Sequence, residues 1–371
     1  MKYPFLDLRT VNEPFFAELK EAACRVVESG RYIGGAEVES FEEALAAASG
    51  VPFAVGVSNG LDALRMIFRA YIALGRLRQG DAVIVPANTY IASVLAITDA
   101  GLEPVFVDAD TDTLNMDTCL LDQAYTPRVK AVLTVHLYGR PCYDERLREF
   151  VERHGLILVE DNAQAIGATA GDGRPAGSLG DAAALSFYPT KNIGALGDAG
   201  AVLTADEELA RTVRAIANYG SDRRYHNIYE GFNCRVDPLQ AAFLNVKLKR
   251  LGKECERRRQ LAAAYDALIC HPCVRKPRVD RPDNSVWHQY AVLVPERDAF
   301  RAYLAEKGVG TDVNYPVPPH KQPCYARFSG LVLPVAEEIS DMVVCLPVSA
   351  CTSVDDAKAI SEIVNKWEYE Y

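Results

Sequence analysis

No stretch of this sequence approaches the roughly 18–20 consecutive apolar residues that a membrane span needs. Its opening residues, MKYPFLDLRTVNEPF, put Asp7, Arg9 and Glu13 inside what would have to be an apolar signal core, so no secretory leader is expected. Basic charge is short as well. Lys and Arg number 40 against 50 Asp and Glu, a formal net charge of -10, and no dense basic stripe stands out. A nucleic-acid surface is therefore not expected. The ten cysteines offer one C-x-x-C, Cys270-His271-Pro272-Cys273, with no second pair to complete a zinc site. No metal is expected, and the reducing cytoplasm is the expected compartment. Internal repeats and low-complexity segments are also lacking.

What is present is ordinary globular material: 371 residues, 49% hydrophobic and 24% charged, enough for one large domain and a smaller one. From residue 50 onward, apolar runs alternate with helix-like segments. Strands are expected at 53–58, 82–86, 104–108, 129–135, 156–160, 183–187 and 201–204, most of them rich in Val, Ile or Leu as strands covered on both faces are. Helical spacing appears at 61–74 and 143–153. The pattern predicts an α/β domain built on a mainly parallel seven-stranded sheet flanked by helices. Only about a dozen residues, three of them glycine, separate the last two strands. A right-handed crossover barely fits that length, which leaves the final strand free to run antiparallel. After Gln240 the character changes. One long helix is expected over 239–255, continuing at 257–268, followed by Pro-rich linkers, strands at 290–294 and 344–346, and helices at 297–307 and 354–367. The expected division is a large domain at 1–249 and a small C-terminal α+β domain at 250–371.

Three stretches carry chemistry. In Ser186-Phe187-Tyr188-Pro189-Thr190-Lys191, a strand ends and one lysine follows in a glycine-rich loop. Ligand chemistry in α/β sheets sits beyond the carboxyl ends of strands. A lysine of lowered pKa there can form a Schiff base, although a solvated loop lysine fits the same residues. In Glu160-Asp161-Asn162-Ala163-Gln164, two acids and an amide follow an apolar strand. A buried carboxylate needs a cation, for which a protonated pyridine nitrogen would serve. A helix N-cap explains the same residues. In Gly56-Val57-Ser58-Asn59-Gly60-Leu61, a strand runs through a small-residue turn into a helix. Free N–H groups and the helix dipole favour a phosphate at such a start, and a plain capped turn is the alternative.

Together these stretches resemble the DegT/DnrJ/EryC1 family of pyridoxal-phosphate sugar aminotransferases, of fold-type I. The resemblance spans nearly the whole chain. It begins at Arg31-Tyr32-Ile33-Gly34-Gly35 and passes through Pro86-Ala87-Asn88-Thr89-Tyr90, Asp161 with Gln164, and Ser186-Phe187 with Lys191. It continues at Gly231-Phe232-Asn233-Cys234-Arg235 and ends in Tyr315-Pro316 with His320. It implies that Lys191 holds pyridoxal phosphate covalently and then shuttles a proton, the cofactor passing through its pyridoxamine phosphate form. Asp161 would pair with the pyridine nitrogen, Gln164 would contact the ring hydroxyl, and Tyr90 would lie against the ring. Gly60, Leu61 and Ser186 would bind the phosphate. Asn233 would reach the neighbouring subunit's cofactor, making the protein a homodimer with shared sites. His320 and Tyr315 would lie near the substrate.

Family members with histidine in place of the lysine resemble dehydratases, so Lys191 favours amine transfer. Asn59-Gly60-Leu61-Asp62-Ala63-Leu64 is similar to the phosphate turn of members that act at C-3. The implied substrate is a dTDP-linked 3-keto-6-deoxyhexose with L-glutamate as donor, and amination at C-4 of a 4-keto sugar is the alternative. The segment 219–235 mixes arginines, aromatics and glycines with little helical period. Arg223, Arg224 and Tyr225 there suit a diphosphate and a ring face, or simply a solvated basic loop. A non-catalytic sugar-binding regulator would lack the lysine or carry an appended DNA-binding segment, and neither is seen. Gly171-Asp172-Gly173-Arg174-Pro175-Ala176 matches a dinucleotide fingerprint by letter but does not open a helix after a strand.

Overall fold

The computed structural model describes residues 1–278, 281 and 284–368. The chain begins with helices α1 (Leu8–Asn12), α2 (Phe16–Ser29) and α3 (Ala36–Ser49). An alternation follows: β1 (Phe53–Val57), α4 (Gly60–Ala73), β2 (Ala82–Pro86), α5 (Ile91–Asp99), β3 (Glu103–Val107), α6 (Leu121–Ala124), β4 (Val129–Val135), α7 (Glu145–His154) and β5 (Ile157–Asp161). Then come β6 (Ala182–Ser186), β7 (Gly200–Thr204) and α8 (Glu207–Ile216).

These strands form a seven-stranded sheet of order β1-β7-β6-β5-β4-β2-β3. β3, β2, β4, β5 and β6 run parallel, and β7 lies antiparallel between β6 and β1. The short Gly-rich connection after β6 thus reverses the chain, as its length anticipated. Strands β2, β4, β6 and β7 are almost wholly buried because helices cover both faces. One face packs against α4 and α5, with Met66, Ile67 and Phe68 inaccessible to water. The other face is closed by α3 and the segment after residue 236, where Phe41 meets the edge of Phe187 at 5.4 Å.

The long helix expected over 239–255 is in fact two. α9 (Pro238–Leu248) ends at Lys249, Arg250 leaves helical geometry, and α10 (Leu251–Leu268) runs through the expected gap at residue 256. The amphipathic pattern is continuous, but its two halves pack on different partners. α9 lies against α2 and α3, whereas α10 lies against the terminal helix α13 (Val354–Asn365). Segment 219–235 is likewise not plain loop. It carries a small hairpin, β8 (Ser221–Arg223) with β9 (His226–Asn227), whose exposed side chains leave no apolar alternation to read.

The last part of the chain adds β10 (Tyr290–Leu293), α11 (Arg297–Glu306), α12 (Pro334–Met342) and β11 (Val343–Leu346). β10 and β11 pair antiparallel, and α10, α11 and α13 pack on them around Tyr265, Tyr290 and Phe300. Tyr3, from the opposite end of the sequence, joins this core through a bridge to Val309. Among the described residues, no helix is long and apolar enough to cross a membrane.

Candidate active site

The C-terminal ends of β4, β5 and β6 open into a cavity of about 710 Å³. Its phosphate-sized end is built by the turn from β1 into α4. Asn59 caps the helix, its Oδ1 accepting from Asp62 N at 2.8 Å. The first N–H groups of α4, at Gly60 and Leu61, have no partner within the helix. Space forces glycine here. A Cβ on Gly60 would lie 2.6 Å from Ser186 Cβ, and one on Gly200 would lie 2.4 Å from the Asn59 carbonyl. The end of β6, the start of β7 and the start of α4 therefore converge on one point, with the Ser186 hydroxyl beside the free N–H groups.

At the opposite end stands Asp161, the last residue of β5. Strand alternation sends the two acids of this strand to opposite faces. Glu160 turns away and is saturated. It accepts from His136 Nε2 at 2.8 Å and from the backbone N–H groups of Gly177, Leu179 and Gly180 at 2.7–2.8 Å. Asp161 turns into the cavity, buried, accepting from Ser93 Oγ at 2.7 Å and from Ala163 N at 3.2 Å. No helix follows β5, so the N-cap reading of Asp161 falls away. Among the described residues no cation pairs with Asp161 at ion-pair distance. A buried carboxylate in that state calls for a positive partner.

Lys191 lies between these ends, on a loop held from several sides. A Cβ on Gly194 would fall 2.2 Å from Pro189 O, so the loop closes tightly on itself. Ala195 N donates to Phe187 O and Leu196 N to Gln240 Oε1, each at 2.8 Å, and the buried Lys247 ammonium donates to Gly194 O. Burial lowers the pKa of Lys191 to about 8, against the opposing pull of Asp161. This is not a solvated loop lysine. With that value about a tenth of its amine is free at neutral pH, far more than for a solvated lysine, and that form can attack a carbonyl.

Gln164 accepts from Tyr138 N at 2.6 Å and donates to Tyr315 Oη at 3.1 Å. The Tyr315 ring stacks at a tilt against Tyr90, centroids 5.1 Å apart, and burial pushes its hydroxyl pKa up. Lys191, Asp161, Gln164, Tyr90, Gly60, Leu61, Ser186 and Tyr315 thus share one cavity.

Other residues named from the sequence lie elsewhere. His320 does not reach the cavity wall. Its ring is inaccessible to water, faces Phe106 at 5.9 Å and pairs with Glu337 at 3.2 Å, because the Pro-rich turn around it folds inward. Asn233 is exposed on this chain's surface, bridged to Asn218. Arg223, Arg224 and Tyr225 ride the exposed β8–β9 hairpin, where Arg224 lies over the Tyr225 ring at 4.9 Å.

The structure also adds residues that sequence reasoning passed over. Ser93 orients Asp161. It is a lone hydroxyl on the buried face of α5, and that was a readable signal. His288 lines the cavity with Nδ1 3.0 Å from Asn192 Oδ1. Asn192 Nδ2 donates to Val286 O at 3.4 Å, which turns Oδ1 toward the ring. An amide oxygen only accepts, so Nδ1 carries the hydrogen. Burial and the nearby Lys191 push the His288 pKa well down, keeping the ring neutral. No local pattern distinguished this histidine.

Pyridoxal phosphate presents a phosphate, a pyridine nitrogen, a ring hydroxyl and an aldehyde. The cavity presents a bare helix start, a buried carboxylate without a cation, an amide and an amine of lowered pKa, so the residues fit this group. When bound, it supplies an electron sink for carbon chemistry. The groups that this chain presents toward such a ligand are the Asp161 carboxylate, the Lys191 amine and the rings of Tyr90 and Tyr315.

The profile of the DegT/DnrJ/EryC1/StrS aminotransferase family matches residues 16–365. A "dTDP-3-amino-3,6-dideoxy-alpha-D-galactopyranose transaminase" of Aneurinibacillus thermoaerophilus is 45% identical over 99% of both chains. A "dTDP-3-amino-3,4,6-trideoxy-alpha-D-glucose transaminase" of Streptomyces venezuelae is 42% identical over 99% of this chain and 96% of that one. Among solved structures, S. venezuelae DesV in complex with ketimine intermediate superposes with a TM-score of 0.94 at 42% identity, covering 99% of this chain and 98% of that one. NtdA from Bacillus subtilis with bound cofactor PMP superposes at 0.89 and 30% identity, covering 99% and 86%.

Proposed function

This chain belongs to the DegT/DnrJ/EryC1/StrS aminotransferase family and is a pyridoxal-phosphate-dependent sugar aminotransferase, and from that premise we propose that it converts a dTDP-linked 3-keto-6-deoxyhexose to the 3-amino sugar, with L-glutamate as amino donor. The observation that carries the chemistry is the meeting of Lys191, Asp161 and the bare start of α4 in one cavity. The choice of sugar is supported by two relatives, at 45% and 42% identity, whose names specify dTDP-3-amino sugars.

In this reading Lys191 carries the cofactor and then moves the proton, and Asp161 keeps the pyridine nitrogen protonated. Gly60, Leu61 and Ser186 take the phosphate. Gln164 meets the ring hydroxyl, and Tyr90 and Tyr315 flank the ring and the sugar. The protein works in the cytoplasm as a homodimer. Asn233 is exposed and stands outside its own chain's cavity, which suits a reach to the phosphate of the neighbouring subunit's cofactor. The β8–β9 hairpin brings Arg223, Arg224 and Tyr225 to the partner's nucleotide diphosphate, where arginine forks match phosphate oxygens.

The test is direct. The purified protein is incubated with pyridoxal phosphate, L-glutamate and a panel of 3-keto and 4-keto nucleotide sugars, and product mass and amine position are read. New amine at C-3 of a dTDP-sugar is expected. Amination only at C-4 would replace the regiochemistry with the C-4 alternative. Replacing Arg223 and Arg224 together by Ala should raise the KM for the nucleotide sugar about tenfold or more; an unchanged KM would return these arginines to the solvated surface.

A further inference from the structure

An amino-acid donor brings carboxylates as well as an amine, and a carboxylate entering a water-poor cavity needs a cation. Among the described residues lining the cavity, Lys191 and Arg258 are the only lysine and arginine. Lys191 is committed to the reaction itself. Arg258, on α10, is buried, and no carboxylate of the described residues lies within ion-pair distance of it. Glu254, one turn earlier, is the nearest acid that acts on it.

The guanidinium is half satisfied in a directional way. Nη1 donates to three carbonyl oxygens, Trp287 O and His288 O at 3.2 Å and Val348 O at 2.5 Å. Nε has no hydrogen-bond partner, and among the described residues the side-chain bonds of Arg258 all run from Nη1, none from Nη2. Nε and Nη2 form one edge of the planar group, and that edge matches the two oxygens of a carboxylate. The carbonyls on Nη1 fix the plane, and this edge is left without a protein partner among the described residues, Nε itself being buried.

Arg258 is also close to the reacting amine. Asn192, next to Lys191, bonds the ring of His288, whose carbonyl in turn accepts from Arg258. Lys191 and Arg258 further share the wall of a small second cavity.

We propose that Arg258 is the anchor for the α-carboxylate of the amino donor, gripping it through the Nε–Nη2 edge while the donor's amine faces Lys191. The proposal rests on the aminotransferase reading and adds the site that selects an α-amino acid over a simple amine. It assigns no step to Arg258 in the keto-sugar half of the reaction.

The two halves are measured separately on the cofactor-loaded protein. The amino-acid half is followed by the loss of the lysine-bound cofactor's visible absorbance on mixing with L-glutamate. The sugar half is followed by its return when the aminated cofactor form meets the keto sugar. Arg258→Gln should raise the apparent Kd for L-glutamate at least thirtyfold and leave the sugar half within about twofold of wild type. Calorimetric titration of the lysine-bound cofactor form with 2-oxoglutarate, which carries both carboxylates but no amine to react there, should show the same loss without any turnover. Wild type should prefer L-glutamate over 4-aminobutyrate, which lacks the α-carboxylate, by at least thirtyfold, and Arg258→Gln should collapse that ratio. Arg258→Lys, which keeps the charge without the fork, should fall between the two.

Equal losses in both halves would overturn the proposal in favour of a purely structural arginine. So would an unchanged Kd for L-glutamate, or a wild type indifferent to the α-carboxylate, a result that needs no variant to fold. If no keto sugar is aminated while the glutamate half behaves as stated, the sugar assignment fails and the Arg258 assignment stands.

Discussion

At the scale of single residues the site is an arrangement of charges that burial has made unstable alone. Lys191 is ordinarily an ammonium to pH 10.5, and its surroundings bring that value to about 8. The sign follows directly. Below pH 8 the protonated, inert form predominates; above it the free amine does. In the cofactor-free protein, capture of pyridoxal phosphate by Lys191 should therefore rise with a midpoint near pH 8, read as growth of visible absorbance. A midpoint near 10.5 would mean that the amine is solvated. Asp161 is the proposed partner of the cofactor's ring nitrogen, a buried carboxylate held by Ser93 and the Ala163 N–H with no described cation at ion-pair distance. Asp161→Asn keeps the shape but cannot hold that nitrogen's proton. Turnover should drop by about a thousandfold, or ~4 kcal/mol. Cofactor affinity measured by equilibrium titration should change by less than about tenfold. Retained turnover would remove Asp161 from this role. Sequence alone left both residues between a functional and a bland reading, because burial and the absence of a following helix are set by distant parts of the chain.

At the scale of elements, the cavity depends on how closely three chain segments approach. Gly60 sits where a Cβ would collide with Ser186. Gly60→Ala should separate α4 from the end of β6 even though alanine is the better helix former. Helix content by circular dichroism should hold, while the cofactor Kd rises about tenfold or more, ~1.4 kcal/mol. Unchanged affinity would mean that the helix start does not bind the phosphate. The strands around this point were legible, since apolar β-rich runs between turn residues have few other fates, and even the reversal at β7 showed in the shortness of its connection. The break between α9 and α10 was not. Residues 239–268 keep one amphipathic pattern across Lys249 and Arg250, and only packing on two different partners splits it. The β8–β9 hairpin was hidden for a related reason, as its short exposed strands bury nothing and leave no periodic trace. His320 shows the converse, a polar residue in a Pro-rich turn that the fold takes inside and pairs with Glu337.

At the scale of the whole molecule, a chain of net charge -10 is asked to hold a cofactor phosphate and a nucleotide diphosphate. General attraction opposes both, so binding falls to local groups, and in the proposed homodimer some of those stand outside the cavity of their own chain. Asn233 is exposed, and Tyr225 at the hairpin tip is 86% exposed, with Tyr219 and Ile228 uncovered nearby. In the proposed homodimer this aromatic and basic projection would meet a second copy, related by a twofold axis, and complete its cavity. Shared sites make a prediction that independent subunits cannot imitate. Let one preparation carry Lys191→Ala and another Asn233→Ala, each deficient alone. After mixing and subunit exchange, half of the dimers are mixed. In each mixed dimer, one site combines the intact Lys191 of one subunit with the intact Asn233 of the other, and its twin has neither. Activity should therefore return to about a quarter of the wild-type value per subunit, from two preparations that lack it separately. The rise should follow the rate of subunit exchange, measured in parallel with fluorescently labelled protein. If each subunit completes its own site, every combination contains one defect per site, and mixing restores nothing.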